Sequence, residues 1–553
     1  MQRIKLSASR YCCYGLLLLL VILFFALIRF QLRESPLERD EGEYAYAGQL
    51  ILQGIPPYQL VYSMKLPGTF AAYSVILAVF GQTPGTIHIG LLLINAATTF
   101  LVFLLARRLF GPLAGLVAGA SYALLSTSPS VVGFAGHATH FVVLPAVGGI
   151  LLLLRAIEAR RVWLLFCSGV LLGLAFLMKQ PGIMFAVFGG LYLVKSEYRD
   201  GRLDWRDLAP KGGAFVLGSI LPFAVTCLAL FAAGSFHKFW FWTFLYSQEY
   251  ASIIGVREGL HLFRRNAAQV VGPAFWIWAI AGVGLSALVW NRKARARGSF
   301  LAGFLLFSFL AVCPGLYFRQ HYFILMLPAI ALLAGVAVSS ARQSILQSGH
   351  RAWSFLPVLV FLVAFADSVF LQREYFFEMD PLTACRTVYG TNPFPEAVGV
   401  GDYLKSHASP GARIAVLGSE PEIYFYAARH SATGYIYTYS LMERQRYALE
   451  MQKEMIADIE AARPEFVVFV NVPLSVGRLA DSETLIFSWA NAYLHSQYEK
   501  IGTVDMNQPT DYVWGDAAEA YQPRSRSFID VFRRKQSADL AQPPRGAYTE
   551  GYR

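Results

Sequence analysis

Three carboxylates stand together in the run Arg39-Asp40-Glu41-Gly42-Glu43-Tyr44, just ahead of a long, mostly apolar stretch. A carboxylate held next to a reacting hydroxyl can take its proton, a step worth about 10²–10⁴-fold in rate. Cations recur at other breaks between apolar runs. Lys65 lies in Ser63-Met64-Lys65-Leu66-Pro67-Gly68, Lys179 with Gln180 in Met178-Lys179-Gln180-Pro181-Gly182, and Arg319 with His321 and Tyr322 in Phe318-Arg319-Gln320-His321-Tyr322. His137 and His140 fall in Gly136-His137-Ala138-Thr139-His140. Together these residues offer a general base and several groups able to neutralise a departing anion such as a phosphate. Each also has a structural use. Acids favour the first turn of a helix, and arginines at span ends extend toward the interface. Lys179 is the hardest to dismiss, since a lone cation in a tight turn between two apolar spans is costly and usually functional. Asp40 and Glu43, three apart, can share a helical face while Glu41 points elsewhere.

The elements that position these groups are set by composition. The chain has 553 residues, of which 56% are hydrophobic and 15% charged. A soluble domain carries about 25% charged residues, so an ordinary cytosolic enzyme is excluded, and disorder with it. The 42 Phe, 29 Tyr and 10 Trp suit a protein that needs anchors at a bilayer surface. Residues 1–371 hold 29 Lys+Arg against 13 Asp+Glu, whereas residues 372–553 hold 18 against 23. A basic, apolar body is thus followed by a mildly acidic tail. The six cysteines have no metal-site spacing, and only Cys385 falls in the tail.

Apolar runs predict about eleven transmembrane helices. They lie near 11–30, 86–106, 112–130, 138–154, 162–178, 181–194, 213–233, 268–290, 299–316, 322–341 and 353–371. The first follows Arg3, Lys5 and Arg10 and lacks a small-residue cleavage site, so it reads as an uncleaved anchor. Basic clusters, among them Arg107/Arg108, Arg155/Arg160/Arg161, Arg292/Lys293/Arg295/Arg297 and Arg342/Arg351, fall at every second break. That alternation predicts a cytoplasmic N-terminus and a tail domain on the outside. The apolar run Leu66–Phe80 breaks the alternation if counted as a crossing. Residues 31–85 are therefore expected to form one long external loop with helices at the membrane surface. Residues 372–535 show strand-like Arg413–Leu417 and Phe466–Val470 around a helical stretch near Met442–Ala462, which predicts a small α/β domain. Residues 536–553 are polar and Pro-rich and are expected to be disordered. The fold class expected is a polytopic α-helical membrane protein with a C-terminal soluble α/β domain.

The stretch Asp40–Tyr58 (DEGEYAYAGQLILQGIPPY), followed by Lys65–Gly81 (KLPGTFAAYSVILAVFG), resembles the first external loop of the GT-C class of polyprenyl-phosphate-sugar-dependent glycosyltransferases. That class includes family-39-like enzymes, protein O-mannosyltransferases and lipid A aminoarabinose transferases. Arg107-Arg108-Leu109-Phe110-Gly111, the Lys179-Gln180 turn and Phe318–Tyr322 before Leu327-Pro328-Ala329 add to the likeness, which covers about residues 10–345. The resemblance implies a GT-C-like body and a bacterial-type cytoplasmic membrane. It implies transfer of a hexose or pentose from a polyprenyl-phosphate donor to a hydroxyl of a lipid, polysaccharide or protein, with inversion. It implies Asp40 as catalytic base with Glu41 as the second acid, and Lys65 with Pro67 as a donor-phosphate element. Glu43, Tyr44, His137, His140, Lys179, Gln180, Arg319, His321 and Tyr322 are then expected to bind substrate. No cofactor is fixed, and a divalent cation is compatible with the class. Aminoarabinose transferases carry a Glu before that Lys where this chain has Met64.

A secondary transporter is the main alternative. Transporters place ionisable groups near the midplane, often in repeated halves, whereas here the polar groups gather at one face and no repeat is found.

Overall fold

The computed structural model describes residues 2–199, 202–507 and 509–536, with side chains from Cys13 onward apart from those of residues 199 and 202. The Pro-rich segment expected to be disordered falls, apart from Gln536, outside the described residues. The chain divides into two compact units.

The first unit, residues 1–57 and 63–390, is helical. It opens with α1 (Gln2–Gln31), α2 (Arg39–Leu52), α3 (Gly68–Phe80), α4 (Pro84–Phe110), α5 (Pro112–Thr127), α6 (Ala138–Ala159), α7 (Val162–Met178), α8 (Ile183–Glu197) and α9 (Trp205–Ala232). A two-stranded hairpin, β1 (Tyr198–Arg199) with β2 (Arg202–Leu203), joins α8 to α9. Later helices include Val256–Val271, Phe275–Trp290, Gly298–Leu310, Leu327–Gln347 and Leu356–Leu371.

Among the described residues, seven helices are long and apolar enough to cross a membrane. Three further expected spans, α5, α7 and Gly298–Leu310, are shorter apolar helices of 16, 17 and 13 residues. The remaining expected span, 181–194, falls on α8, which has 15 residues. At 1.5 Å per residue a 13-residue helix reaches only about 20 Å, so neither α3 nor Gly298–Leu310 spans the hydrocarbon core unaided. Leu217, Leu228 and Phe231 of α9 are among its exposed apolar residues, as a lipid-facing helix requires. The buried core uses small residues at helix contacts: Ala114, Ala118, Ala331 and Ala334 are fully buried where α5 packs on Leu327–Gln347. Small side chains let helix backbones approach closely in lipid, where packing rather than water exclusion drives association.

The second unit comprises Tyr58–Tyr62 and residues from Thr391 onward. Its six-stranded sheet runs β4-β3-β5-β8-β6-β7, from β3 (Arg413–Leu417), β4 (His430–Ser431), β5 (Phe466–Asn471), β6 (Tyr498–Asp505), β7 (Asp511–Trp514) and β8 (Phe528–Arg534). β3 pairs in parallel with β4 and β5, and the other neighbours are antiparallel. Helix Ala448–Ala462 precedes β5, as the strand–helix–strand reading expects. Tyr62 of the short first segment donates its N–H to the Gly434 carbonyl at 2.7 Å and packs edge-on against Tyr435. Cys385 lies in helix Pro381–Tyr389 of the helical unit.

Candidate active site

Five breaks in the helical unit meet at one end. The α2 N-terminus is fixed first. Glu38 caps the helix: its carboxylate accepts the Glu41 N–H at 3.0 Å, and the Glu41 carboxylate accepts the Glu38 N–H at 3.4 Å. This reciprocal cap satisfies two of the free donors of the first turn. It also aims Asp40 and Glu43 to one side and Glu41 to another.

Lys65 lies between Asp40 and Glu43. Its Nζ donates to Asp40 Oδ1 at 2.8 Å and to Glu43 Oε2 at 2.5 Å, and sits 4.6 Å above the Tyr44 ring. Asp40 keeps 20% of its side-chain exposure, whereas Glu43 keeps 1%. Of this pair, Asp40 is thus the carboxylate a substrate can reach. Burial acts to raise the Asp40 carboxyl, but the charge of Lys65 and the neighbouring His137 hold it well below the usual range. Burial likewise opposes charge on Lys65, yet the two carboxylates hold its ammonium well above the ordinary lysine range. Glu38 is pushed up to about 7, mainly by burial.

His137 Nδ1 lies 3.5 Å from both Glu38 Oε1 and Asp40 Oδ2. Its ring stacks on His321, with centroids 4.0 Å apart. His321 contacts Tyr322 edge-on, and the Tyr322 ring lies 4.1 Å beneath Lys179 Nζ. Burial, reinforced by Lys65 and Arg319, brings the Lys179 ammonium down to about 7. Arg319 donates to the Tyr250 hydroxyl at 3.3 Å and lies over Tyr317, which stacks on Tyr250.

The Lys179 turn is attached to the Lys65 segment by two bonds. Gln180 Nε2 donates to the Met64 carbonyl at 2.6 Å, and Thr69 Oγ1 donates to the Met178 carbonyl at 2.8 Å. A side chain at Gly68 would bring a Cβ within 2.5 Å of the Leu177 carbonyl oxygen, so this close approach needs glycine.

The structure therefore brings Asp40, Glu43, Tyr44, Lys65, His137, His321, Tyr322 and Lys179 into one chain of contacts, with Arg319 at its edge. Three expected site residues face elsewhere. Glu41, expected beside Asp40 as a second acid, accepts the Gly136 N–H at 2.5 Å and contacts His88 Nε2 at 3.0 Å. Gln180 is occupied by Met64. His140 is buried one helical turn beyond His137 within α6. Sequence reasoning missed Glu38, His88 and Tyr250. The Glu38–Glu41 spacing is that of a helix cap and was the available signal. His88 and Tyr250 lie within helical stretches with no local mark.

Asp40, His137 and His321 each present a ligand atom within 4.8 Å of the others. Two imidazoles and a carboxylate suit a borderline divalent ion such as Zn²⁺. Both His137 ring nitrogens lack a hydrogen-bond partner among the described residues, which fits a ligand role.

Comparisons place this geometry. Residues 65–225 match the family model described as dolichyl-phosphate-mannose-protein mannosyltransferase. That stretch includes Lys65, His137 and Lys179 but not Asp40. The structure of ArnT from Cupriavidus metallidurans in the apo state is similar with a TM-score of 0.60 at 15% identity, covering 96% of this chain and 99% of that one. ArnT bound to undecaprenyl phosphate gives 0.59 at the same identity and coverage. An Archaeoglobus fulgidus oligosaccharyltransferase in complex with Zn and sulfate gives 0.50 at 12% identity, covering 90% and 73%. No curated protein sequence matches the chain. The chain has the GT-C membrane fold and resembles the aminoarabinose transferases and mannosyltransferases that share it.

Proposed function

We propose that the chain is an integral membrane glycosyltransferase that moves a sugar from a polyprenyl-phosphate donor to an acceptor hydroxyl. The observation that carries this reading is Asp40: a part-exposed carboxylate, held ionised by Lys65, with Lys179 and Arg319 close by. A similar fold supports the donor class, since that structure is described bound to undecaprenyl phosphate.

The chemistry follows from the charges. Asp40 takes the proton of the acceptor hydroxyl as its oxygen attacks the anomeric carbon. The bond to the lipid phosphate breaks on the opposite side, so a single displacement inverts the centre. Lys179 and Arg319 receive the phosphate charge as it develops, in a partly dry site where such interactions are strong. Arg319 offers a planar fork suited to phosphate oxygens. Glu43 keeps Lys65 in place. Glu41 acts through the Gly136 backbone and so positions His137. A divalent cation held by Asp40, His137 and His321 would add positive charge for the phosphate. The site faces the outside, the tail domain lies outside the cytoplasmic membrane, and the N-terminus lies inside. The clustering of site breaks at one end and arginines at the other supports this orientation.

Ionisable groups that sit at the helix ends rather than at the midplane, with no detected repeat, count against a transporter. The test is reconstitution of the full chain with a panel of polyprenyl-phosphate hexoses and pentoses. Release of polyprenyl phosphate together with glycosylated acceptor supports the reading. Solute flux without sugar transfer defeats it. Orientation is tested with single cysteines at the exposed Ser348 and Ser488 and an impermeant maleimide. Ser488→Cys should label on intact cells and Ser348→Cys should not; the reverse overturns the orientation.

A further inference from the structure

A groove of about 910 Å³ opens along α4, α6 and α7. Its wall is almost wholly apolar, with Leu101, Leu144, Leu151, Leu171 and Leu174 prominent. Three polar side chains line it, and all are arginines: Arg107, Arg108 and Arg155. Its other end reaches Phe141 and Met178, next to the Lys179 turn. Along α4, Ile94 and Arg107 both line the groove, thirteen residues apart, which is about 20 Å.

The groove exists because α6 is thin on this side. Pro145 and Gly148 face into it. A Cβ at Gly148 would meet only Leu101 and Leu171 side chains, at 3.5 and 3.7 Å, so no backbone contact requires glycine here. The small residue leaves space instead of serving close packing.

Charge decides the direction of an occupant. Of the three arginines, Arg108 pairs with Glu158 at 2.5 Å. The Arg108 Nε is buried and has no hydrogen-bond partner among the described residues. A donor lipid with its phosphate at Lys179 would point its apolar tail at these arginines, a poor match. A lipid entering from the opposite leaflet matches both ends.

We infer that this groove seats the acyl chains of an anionic glycerophospholipid, with its phosphate on Arg107, Arg108 and Arg155. The lipid belongs to the leaflet opposite the candidate site, and the polyprenyl donor lies elsewhere. The phosphate seat uses only the three arginines, while the exclusion of the donor from this groove rests on the proposed placement of its phosphate at Lys179.

The test is native mass spectrometry of the full-length protein, titrated with palmitoyl-oleoyl phosphatidylglycerol or with phosphatidylethanolamine of the same chains. Wild type should retain phosphatidylglycerol at least about tenfold better, given the attraction of basic residues for anionic headgroups. Arg107→Gln with Arg155→Gln should lose that preference. Gly148→Leu should fill the groove and lose both lipids, with an unchanged melting temperature to show that it folds. Undecaprenyl phosphate should not displace the bound phosphatidylglycerol. Equal retention of the two phospholipids by wild type would overturn the proposal. So would undiminished phosphatidylglycerol in Gly148→Leu, or its displacement by undecaprenyl phosphate, which would assign the groove to a donor tail.

Discussion

The two ends of the helical unit both carry charges at breaks between apolar helices, yet they treat them differently. At the site end Lys65 is enclosed by two carboxylates, with side-chain exposures of 16% for Lys65, 20% for Asp40 and 1% for Glu43. At the arginine end Arg108 pairs with Glu158, whose side chain is 66% exposed. An exposed pair of the second kind contributes about 0–1 kcal/mol. Breaking a buried pair of the first kind leaves an uncompensated charge and costs about 3–5 kcal/mol. Burial and mutual pairing, rather than the number of charges, separate a place for chemistry from a place that meets lipid headgroups.

The largest expected effect follows directly. Lys65→Met should lower unfolding stability by about 3–5 kcal/mol, because two carboxylates lose their cation in a dry setting. Arg108→Met should cost no more than about 1 kcal/mol. Denaturation of both variants in one detergent compares the two ends, and equal losses would erase the contrast.

Next is Glu41→Gln. Its carboxylate joins Gly136 and His88 and makes no contact with Asp40 in the hydrogen-bond network. Loss of a supporting contact of this kind typically costs about 10–100-fold in activity. The loss should appear in kcat, with donor affinity preserved. A change in donor affinity alone would place Glu41 at the substrate.

Arg319→Lys should weaken donor binding about tenfold, since the planar fork is lost. Arg351→Lys, in the helical turn Arg351–Trp353 of the loop after Leu327–Gln347, should leave it unchanged. Matching effects would count against a phosphate pocket at Arg319.

The smallest effect is on pH dependence. Burial brings Lys179 down to about 7, so its charge is present below that pH and lost above it. Glu38, pushed up to about 7, gains negative charge over the same window, which acts in the same direction on an anionic donor. Donor affinity should therefore fall severalfold from pH 6 to pH 8.5. Lys179→Arg keeps its charge and should flatten the profile. An unchanged slope in that variant would move the titration to Glu38.

Much of this was legible in the sequence for a physical reason. Apolar runs and their charged breaks follow from the bilayer itself, and the breaks at 40–44, 65, 137, 179 and 319–322 do converge. The i, i+3 relation of Asp40 and Glu43 predicts their shared face, and Lys65 bridges them. What stayed hidden depends on long-range packing. Nothing near His88 in sequence says that it meets Glu41, 47 residues away. The stacking of His137 on His321 joins residues 184 apart in the chain. In the tail, β3 and β5 stand out as apolar runs. β6, β7 and β8 mix charged and polar residues with apolar ones, so no unbroken apolar run marks them, although residues 501–505 and 529–531 are buried.

The central claim is that Asp40 is the catalytic base. The direct test is the rate of sugar transfer by Asp40→Asn beside its donor affinity, in nanodiscs and with a donor the wild type accepts. Asn keeps the size and removes the basic oxygen. Transfer should fall by about 10²–10⁴-fold, while donor affinity should stay within a few-fold of wild type. Wild-type turnover by Asp40→Asn would contradict the account.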